Sequence, residues 1–287
     1  TEPTTEAGAG GTSDDASGDT NGDMTVDFGF LPTVSIGSLV YQDNANDGTF
    51  NGTDAPLAGA TVTLYEADGV TPATDANGAA IAPITTLANG LYYFGNLLPG
   101  NYVVGVTPPA TAPVSSTITV TTDDNGGDGL DNGTQAASGD EAFSPVISLS
   151  AGTEPTTEAG AGGTSDDASG DTNGDMTVDF GFFAPVNVSG NVFLDTDGTA
   201  TVNGASYAAP ANTLYAILVD AAGNIAGSAP IGTDGKFEIT NVAPGTYTSI
   251  LSTSTPMAIG TLAPTVASIP SGYFSIAEGI GTTPDAA

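Results

Sequence analysis

The sequence MTVDFGF stands at residues 176–182 and, unchanged, at residues 24–30. Alternate side chains of an extended strand point to the same face, so its methionine, valine and two phenylalanines share one apolar face. Thr177, Asp179 and Gly181 take the other face. This alternation predicts a half-buried β-strand at the end of a β-sandwich.

The heptapeptide ends a longer repeat. The segment TEPTTEAGAGGTSDDASGDTNGDMTVDFGF occupies residues 1–30 and recurs without a change at residues 153–182. A weaker likeness continues beyond it, with IGSLVYQD at 36–43 aligned to VSGNVFLD at 188–195. Self-similarity of this kind indicates tandem units. We therefore predict three segments: 1–33, the terminal strand and acidic lead-in of a preceding repeat; 34–184, a complete sandwich; and 185–287, a second, divergent sandwich, complete or truncated.

The rest of the chain also has the pattern of strands. Short runs rich in Val, Ile, Thr, Tyr and Phe are separated by Gly, Asn, Asp and Pro, as in all-β proteins. The clearest predicted strands are 61–65, 91–94, 102–106, 116–120, 146–149, 214–219, 236–242 and 247–251. About seven strands per unit predict tandem immunoglobulin-like β-sandwich domains in an elongated array.

Composition excludes several classes of function. The chain has 33 Asp and Glu residues, a single Lys, no His and no Cys, and a net charge of -32. One Lys cannot neutralise nucleic-acid phosphates or hold an anionic membrane surface. Catalytic Ser-His or Cys-His pairs and His/Cys metal sites are excluded in the same way. No apolar run reaches the ~18 residues of a membrane helix. Carboxylate chemistry and hard-cation binding remain.

Several motifs resemble the B-repeat domains of serine–aspartate-repeat surface proteins, which are relatives of the collagen-adhesin B-type modules. The motifs are IGSLVYQD at 36–43, PLAGATVTLY at 56–65, NGLYYF at 89–94, LPGNY at 98–102 and VDFGF at 178–182. The resemblance covers most of residues 34–182. It implies non-enzymatic tandem sandwiches that stiffen a secreted or bacterial cell-surface stalk, often with bound calcium. The chain departs from the family in lacking a serine–aspartate tract and a sortase signal.

The first candidate metal site is the acidic loop at residues 43–54. Counted as a twelve-residue calcium loop, it places Asp43 at position 1, Asp47 at 5, Asn51 at 9 and Asp54 at 12, with a Gly at position 6 for the sharp turn. Position 3 is Ala45, which supplies no ligand. The alternative is an ordinary polar turn.

The second candidate site precedes the closing strand. Asp171, Asn173 and Asp175 follow a D-x-N-x-D spacing that can place three oxygens on one side of a tight loop, with Asp179 as a further ligand. The equivalent residues of the first copy are Asp19, Asn21, Asp23 and Asp27. A solvated turn is the alternative. We predict Ca²⁺ as the ion for both sites.

A third acidic stretch contains Asp123, Asp124, Asp128 and Asp131 and is followed by Asp140 and Glu141. Close like charges repel unless a cation lies between them. Bound calcium or a surface screened by ordinary salt accounts equally for such a run. Lys236, in a predicted hairpin, is interpreted as a surface lysine and not as a partner in an intramolecular crosslink.

The sequence therefore predicts a non-enzymatic structural segment, a stalk or filament, whose partners are neighbouring repeats of the same polypeptide or other copies in a filament. The alternative is a ligand-binding adhesin module whose loops grip a host, prey or surface molecule. An enzyme would need paired carboxylates in a cleft, usually with aromatic platforms. Here the acids lie in loops and Trp is absent.

Overall fold

The computed structural model describes residues 28–116, 120, 129–156, 172–195, 204–256, 258–264 and 268–273. Within these residues all regular secondary structure is β-strand, which confirms the predicted all-β class. The strands of the first sandwich are β1 Val34–Gln42, β2 Ala55–Pro56, β3 Thr61–Glu66, β4 Ile84–Thr85, β5 Leu91–Leu97, β6 Gly100–Thr107, β7 Val114–Ser115, β8 Thr134–Gln135, β9 Ala142–Phe143, β10 Ile147–Leu149, β11 Gly174–Asp175 and β12 Phe180–Phe183. Those of the second are β13 Val186–Asn191, β14 Tyr215–Val219, β15 Ile225–Pro230, β16 Lys236–Val242 and β17 Thr248–Ser252.

β1 is the central strand of the first sheet because its two halves pair with different neighbours. Residues 34–39 pair antiparallel with β5, and residues 35–36 also pair in parallel with β11. Residues 40–42 pair in parallel with β12, and residues 41–42 pair antiparallel with β2. Neighbours on both edges, and packing on both faces, leave every residue of β1 except the last buried.

The second sheet of this sandwich is built around β3 and β6, which run antiparallel over six residue pairs from Thr61 opposite Thr107 to Glu66 opposite Tyr102. β4 extends the sheet beyond β3, whereas β9 and β10 pair with β6 and β8 pairs with β9. Alternating burial along β3 places Val62 and Leu64 in the core.

The two sheets enclose a single apolar core. Its buried members come from both sheets: Val34, Ile36, Val40, Leu57, Ala60, Val62, Leu64, Ala73, Tyr92, Phe94, Leu97, Tyr102, Val104, Val106, Ala112, Ala142, Ile147, Leu149, Val178, Phe180 and Phe182. Each fully buried aliphatic or Phe side chain stabilises the fold by about 1.5–3 kcal/mol. Because the last three lie at the end of the unit, the described residues between 34 and 182 share one core.

The closing strand of the first sandwich is β12. It lies between β1 and β7, parallel to β1 with Val40 opposite Phe180 and Gln42 opposite Phe182, and antiparallel to β7. The predicted single strand over 176–182 is wrong in its extent, because the ladder begins only at Phe180. The predicted polar face is also buried: Thr177 is 2% exposed and Asp179 is 0% exposed.

The second sandwich is smaller. β13 pairs with β16, and β14 lies between β15 and β17, all antiparallel. Its own core holds Ala209, Leu214, Ala216, Leu218, Ala229, Ile231, Ile239 and Val242. Only Ala184 and Pro185 separate β12 from β13. The described residues thus form two successive β-sandwiches.

The described residues include no helix long and apolar enough to cross a membrane.

Candidate metal centre

The loop between β1 and β2 is organised by Asp43, whose carboxylate is fully buried. Its Oδ1 accepts hydrogen bonds from the backbone N–H groups of Ala45 (3.1 Å) and Asp47 (3.3 Å). Its Oδ2 accepts from the N–H of Gly48 (2.9 Å) and from the hydroxyl of Ser116 (2.8 Å). Four donors fill the lone-pair positions of one carboxylate and fix the first half of the loop.

Asp54 closes the second half of the loop. Its Oδ1 accepts from the N–H of Asn44 (2.8 Å), and its Oδ2 accepts from the N–H of Asn51 (2.9 Å). The Asn51 side-chain amide donates to Asp47 Oδ2 at 3.0 Å, so Asn51 holds Asp47 in place. At position 6 of the loop Gly48 has a φ of 70°, in the left-handed region that glycine adopts without strain.

This folding brings three carboxylates together. Asp43, Asp47 and Asp54 each offer an oxygen, and the three oxygens lie within 4.8 Å of one another. Asp43 is buried, Asp54 is half-buried and Asp47 is exposed, so the cluster opens towards solvent on the Asp47 side. The only Lys of the chain, Lys236, lies in β16 of the second sandwich. We name these three residues the loop cluster.

The loop cluster fits a hard cation by charge and by donor type, since Ca²⁺ prefers carboxylate and carbonyl oxygens. Asp47 and Asp54 retain free lone-pair positions, whereas all four positions of Asp43 are occupied by donors. Calcium takes six to eight oxygens, so the three side chains supply only part of a full set. Ala45 contributes no side-chain oxygen, as the sequence predicted.

Two further carboxylates lie buried beside the loop, those of Asp131 and Asp179, which we name the buried acid pair. Both are 0% exposed, and they face each other in a parallel bridge. The Asp131 N–H donates to the Gly48 carbonyl at 2.9 Å, and the Phe50 N–H donates to the Gly129 carbonyl at 2.7 Å. The segment around residue 130 therefore holds the loop against the closing strand.

Asp179 fastens the closing strand to its neighbours. Its Oδ1 accepts from the Ser38 hydroxyl (2.5 Å) and the Leu39 N–H (3.0 Å), and its Oδ2 accepts from the Gly129 N–H (2.6 Å). One side chain thus links the strand to β1 and to the segment around residue 130. A buried polar group must find partners of this kind or destabilise the fold.

Asp131 is only half satisfied. Its Oδ1 accepts from the N–H groups of Gly133 (2.8 Å) and Gly181 (3.1 Å), whereas its buried Oδ2 accepts no hydrogen bond in the described part of the chain. Burial raises the pKa of the Asp131 carboxyl well above its ordinary value, and the charges of Asp43 and Asp179 raise it further. The two backbone donors oppose this shift.

The phenol of Tyr41 lies among these acids. Burial raises the pKa of Tyr41, and the negative charges of Asp131, Asp43 and Asp179 add to the shift. The Tyr41 ring also packs edge-on against Phe50, with 5.4 Å between the ring centroids. The loop cluster and the buried acid pair therefore belong to one acidic region at the end of β1.

The second candidate site is placed differently. Asp175 is fully buried, and its Oδ1 accepts from the N–H and hydroxyl of Thr177 (2.9 and 2.7 Å). The Asn173 Oδ1 accepts from the Gly152 N–H at 3.1 Å. Asp171, like Asp19, Asn21, Asp23 and Asp27, lies outside the described residues. A metal ligand role for Asp171, Asn173, Asp175 and Asp179 stays a prediction.

Sequence reasoning missed the packing partners of the loop. Ser116 and Tyr41 were assigned no site role, and Asp131 was named only as one member of the third acidic stretch. The one available signal was the LDNG sequence at 130–133, an Asp and an Asn just after a run of glycines. It resembled any polar turn, because the contact that matters joins residues about eighty positions apart.

Fold and site together define the class, a tandem β-sandwich module with an acidic loop at the end of β1. Residues 34–161 match the family model described as the SdrD B-like domain. This part of the chain is therefore a B-repeat domain of the kind found in serine–aspartate-repeat surface proteins, which confirms the resemblance. The family also confirms the predicted location, secreted or at the bacterial cell surface.

Curated relatives share parts of the chain. The fibrinogen-binding protein of Staphylococcus epidermidis is 37% identical over 121 residues, which is 42% of this chain and 9% of that protein. The serine-aspartate repeat-containing protein I of Staphylococcus saprophyticus is 38% identical over 88 residues, 30% of this chain and 4% of that protein. Colossin-A of Dictyostelium discoideum is 28% identical over 226 residues, 77% of this chain and 2% of that protein. The chain thus spans less than a tenth of the length of each of these relatives.

Solved structures with some likeness include pilins. The minor pilin GBS52 of Streptococcus agalactiae has a TM-score of 0.26 at 16% identity, covering 54% of this chain and 45% of that one. The shaft pilin SpaA of Lactobacillus rhamnosus GG has a TM-score of 0.26 at 11% identity, covering 78% of this chain and 89% of that one. Scores this low add nothing to the fold described above.

Proposed function

We propose that the chain is a non-enzymatic structural segment of a bacterial surface protein, a stalk or filament module stiffened by calcium. The observation that carries the proposal is the loop cluster, in which Asp43, Asp47 and Asp54 converge to within 4.8 Å of one another. Like charges at this distance repel, and a divalent cation held by the free lone pairs of Asp47 and Asp54 would reduce the repulsion and fix the second half of the loop.

The position of the loop explains how a cation would stiffen the sandwich. The loop contacts the segment around residue 130 through the Gly48 carbonyl and the Phe50 N–H, and that segment contacts the closing strand through Asp131 and Asp179. A cation that fixes the loop therefore acts on the end of β1, the segment around residue 130 and the closing strand together. Its partners in such a stalk are neighbouring sandwiches or other copies in a filament.

The second candidate function is a ligand-binding adhesin module. It is supported by the names of two relatives, a fibrinogen-binding protein and a bone sialoprotein-binding protein, which match 42% and 36% of this chain. Those names describe proteins of which this chain covers only 9% each. An apolar binding surface on this chain would appear as a patch of exposed apolar side chains. Large exposed hydrophobics are scattered over the described sandwiches, apart from Phe28, Phe30 and Leu31.

The experiment is calorimetry of the whole chain with Ca²⁺ and with chelator, at matched ionic strength. We expect Ca²⁺ to raise the melting temperature of the first sandwich, because an ion that binds only the folded state stabilises it. At a hundredfold excess over Kd the free energy of unfolding rises by about 2.7 kcal/mol. Asp47→Asn should abolish most of this shift, because Asp47 is the exposed and least saturated ligand. The matched control is Asp68→Asn, which removes an exposed turn carboxylate that lies outside the loop cluster. Equal melting temperatures with Ca²⁺ and chelator would contradict the proposal.

A further inference from the structure

The segment before β1 carries exposed aromatic side chains. Phe28 is 83% exposed, Phe30 is 95% exposed and Leu31 is 63% exposed. Three large apolar groups in succession form an unusual surface for a soluble domain, and such surfaces mark interaction sites.

The same sequence is fully buried elsewhere in the molecule. Residues 1–30 and 153–182 are identical, so Phe28 corresponds to Phe180 and Phe30 to Phe182. Both counterparts are 0% exposed in the core of the first sandwich, on a strand between β1 and β7. The sequence around Phe28 therefore has a known complementary surface, the position that β12 fills.

The segment cannot reach that position in its own sandwich. In the observed pairing the counterpart of Phe30 lies beside Gln42, at the far end of β1 from Val34. The nine residues of β1 separate those two ends by about 26 Å. Residues 31–33 join Phe30 to Val34 and span at most about 14 Å. Residues 31–33 are therefore too short for Phe28 and Phe30 to pair with β1 in the parallel manner seen for β12.

We propose that the strand ending at Phe28–Phe30 closes a second sandwich of the same build as residues 34–183, one that precedes it in an array. There it would lie between the counterparts of β1 and β7, with Phe28 and Phe30 in the core. A connection of two residues, Pro32 and Thr33, would then lead directly into β1. The observed passage from β12 to β13 through Ala184 and Pro185 is of the same kind.

The closing strand also supplies part of the acidic region. Asp179 immediately precedes β12 and accepts hydrogen bonds from Ser38, Leu39 and Gly129. The residue at the same position in the first copy is Asp27, which lies outside the described residues. The buried acid pair of the acceptor sandwich would be incomplete without this residue. The proposal thus assigns a partner to the exposed segment, an incomplete sandwich of the same build.

The test uses the whole chain and displaces β12 from its position between β1 and β7. Phe180→Ser combined with Phe182→Ser disables the chain's own closing strand but leaves residues 1–30 intact. We expect this variant to associate head to tail, because the segment of one molecule enters the sandwich of the next and the contact does not close on itself. Light scattering after size exclusion should then give masses of two or more chains. The matched control adds Phe28→Ser and Phe30→Ser to the same variant and should stay a monomer.

A second arm separates specific docking from aggregation of an unfolded domain. A synthetic peptide of residues 15–31 is added to the four-Ser variant, and the melting temperature is recorded. We expect saturating peptide to raise it by about 5 °C or more, and a peptide with both phenylalanines changed to Ser to leave it unchanged. The proposal is overturned if the two variants show the same mass distribution or if the two peptides act alike. Calcium is kept constant throughout, so failure of the calcium proposal does not affect either arm.

Discussion

Two regions of this molecule share one sequence and have opposite environments. Phe180 and Phe182 are 0% exposed, whereas Phe28 and Phe30 are 83% and 95% exposed. Their local propensities are the same, because the preceding residues are identical over both copies. The difference therefore arises entirely from tertiary structure, from whether the strand has a sandwich to close. The phenylalanines of such a strand are buried only when the strand pairs with β1 and β7 and packs against the core.

The glycine between the two phenylalanines shows how tightly the docked copy is packed. A Cβ added at Gly29 would meet nothing within 4 Å. A Cβ added at Gly181 would lie 2.5 Å from Ser116 Oγ and 2.9 Å from the Tyr41 ring. Protein interiors are packed to this density, so a single methyl group is sufficient to detect docking.

The largest effect is expected from the core phenylalanine. Phe180→Ala should lower the free energy of unfolding of the first sandwich by about 3–5 kcal/mol, because it leaves a cavity in the core. Phe28→Ala should change it by less than about 0.5 kcal/mol, as for an exposed side chain. Urea unfolding of the dilute chain, followed by tyrosine fluorescence, measures both. Similar losses for the two variants would show that the exposed copy is docked in the isolated chain.

A smaller effect is expected from the glycine pair. Gly181→Ala should destabilise the first sandwich by about 1–3 kcal/mol, because the added methyl group collides with the buried Tyr41 ring. Gly29→Ala should leave stability within about 0.5 kcal/mol of the wild type. The same urea titration applies, and the Gly29 variant serves as the control. Equal midpoints for both variants would contradict the close packing of β12 on Tyr41.

The smallest expected effect is a change in the pH dependence of stability at Asp131, whose buried carboxyl accepts a hydrogen bond from Gly181 of β12. Burial raises the pKa of Asp131 above its ordinary value of 3.8. At a pH between the unfolded and the folded pKa, the Asp131 carboxyl is therefore protonated in the folded state and ionised in the unfolded chain. The stability contributed by this group is fully present below the ordinary pKa and is lost as the pH rises through the raised folded pKa. Asp131→Asn cannot lose a proton. The stability of this variant relative to wild type should therefore rise with pH across that window.

The measurement is urea unfolding from pH 4 upward with chelator present, plotted as the difference between variant and wild type. Asp68→Asn is the control, because hydrogen bonds from Thr71 lower the pKa of Asp68 and its contribution is lost only as the pH falls. Its difference curve should be flat from about pH 5 upward, where Asp68 is ionised in both the folded and the unfolded chain. A flat curve for Asp131→Asn as well would mean that Asp131 is ionised in the folded state throughout.

The sequence predicted the strands of the fold well where alternation was strong. Strand 236–242 is observed as predicted, and 61–65, 91–94 and 102–106 lie inside slightly longer strands. The sequence predicted the closing strand less well, because an alternating pattern is interpreted as a strand with one face exposed to solvent. Instead the whole segment leading into β12 is packed against its neighbours, so Thr177 and Asp179, which precede β12, are buried too.

The acidic region was only half predictable for a related reason. The spacing of Asp43, Asp47 and Asp54 is local, and the structure brings these three residues together. The contacts that join Asp131 to Gly48 and to Asp179 depend on how three distant segments meet. No spacing rule in one sequence encodes such a meeting. In the second acidic motif, Asp175 is buried and accepts a hydrogen bond from the Thr177 N–H, and its spacing in the sequence did not indicate this burial.

The most direct test of the two-environment account is amide hydrogen exchange at Gly181 and Gly29, resolved by NMR in the dilute wild-type chain. Both glycines lie between two phenylalanines, so their unprotected exchange rates are the same. The Gly181 N–H donates to the buried Asp131 Oδ1 at 3.1 Å. We predict that Gly181 exchanges at least about 10³-fold more slowly than Gly29, through opening of the whole sandwich. Exchange of the two amides at similar rates, whether fast or slow, would contradict the account.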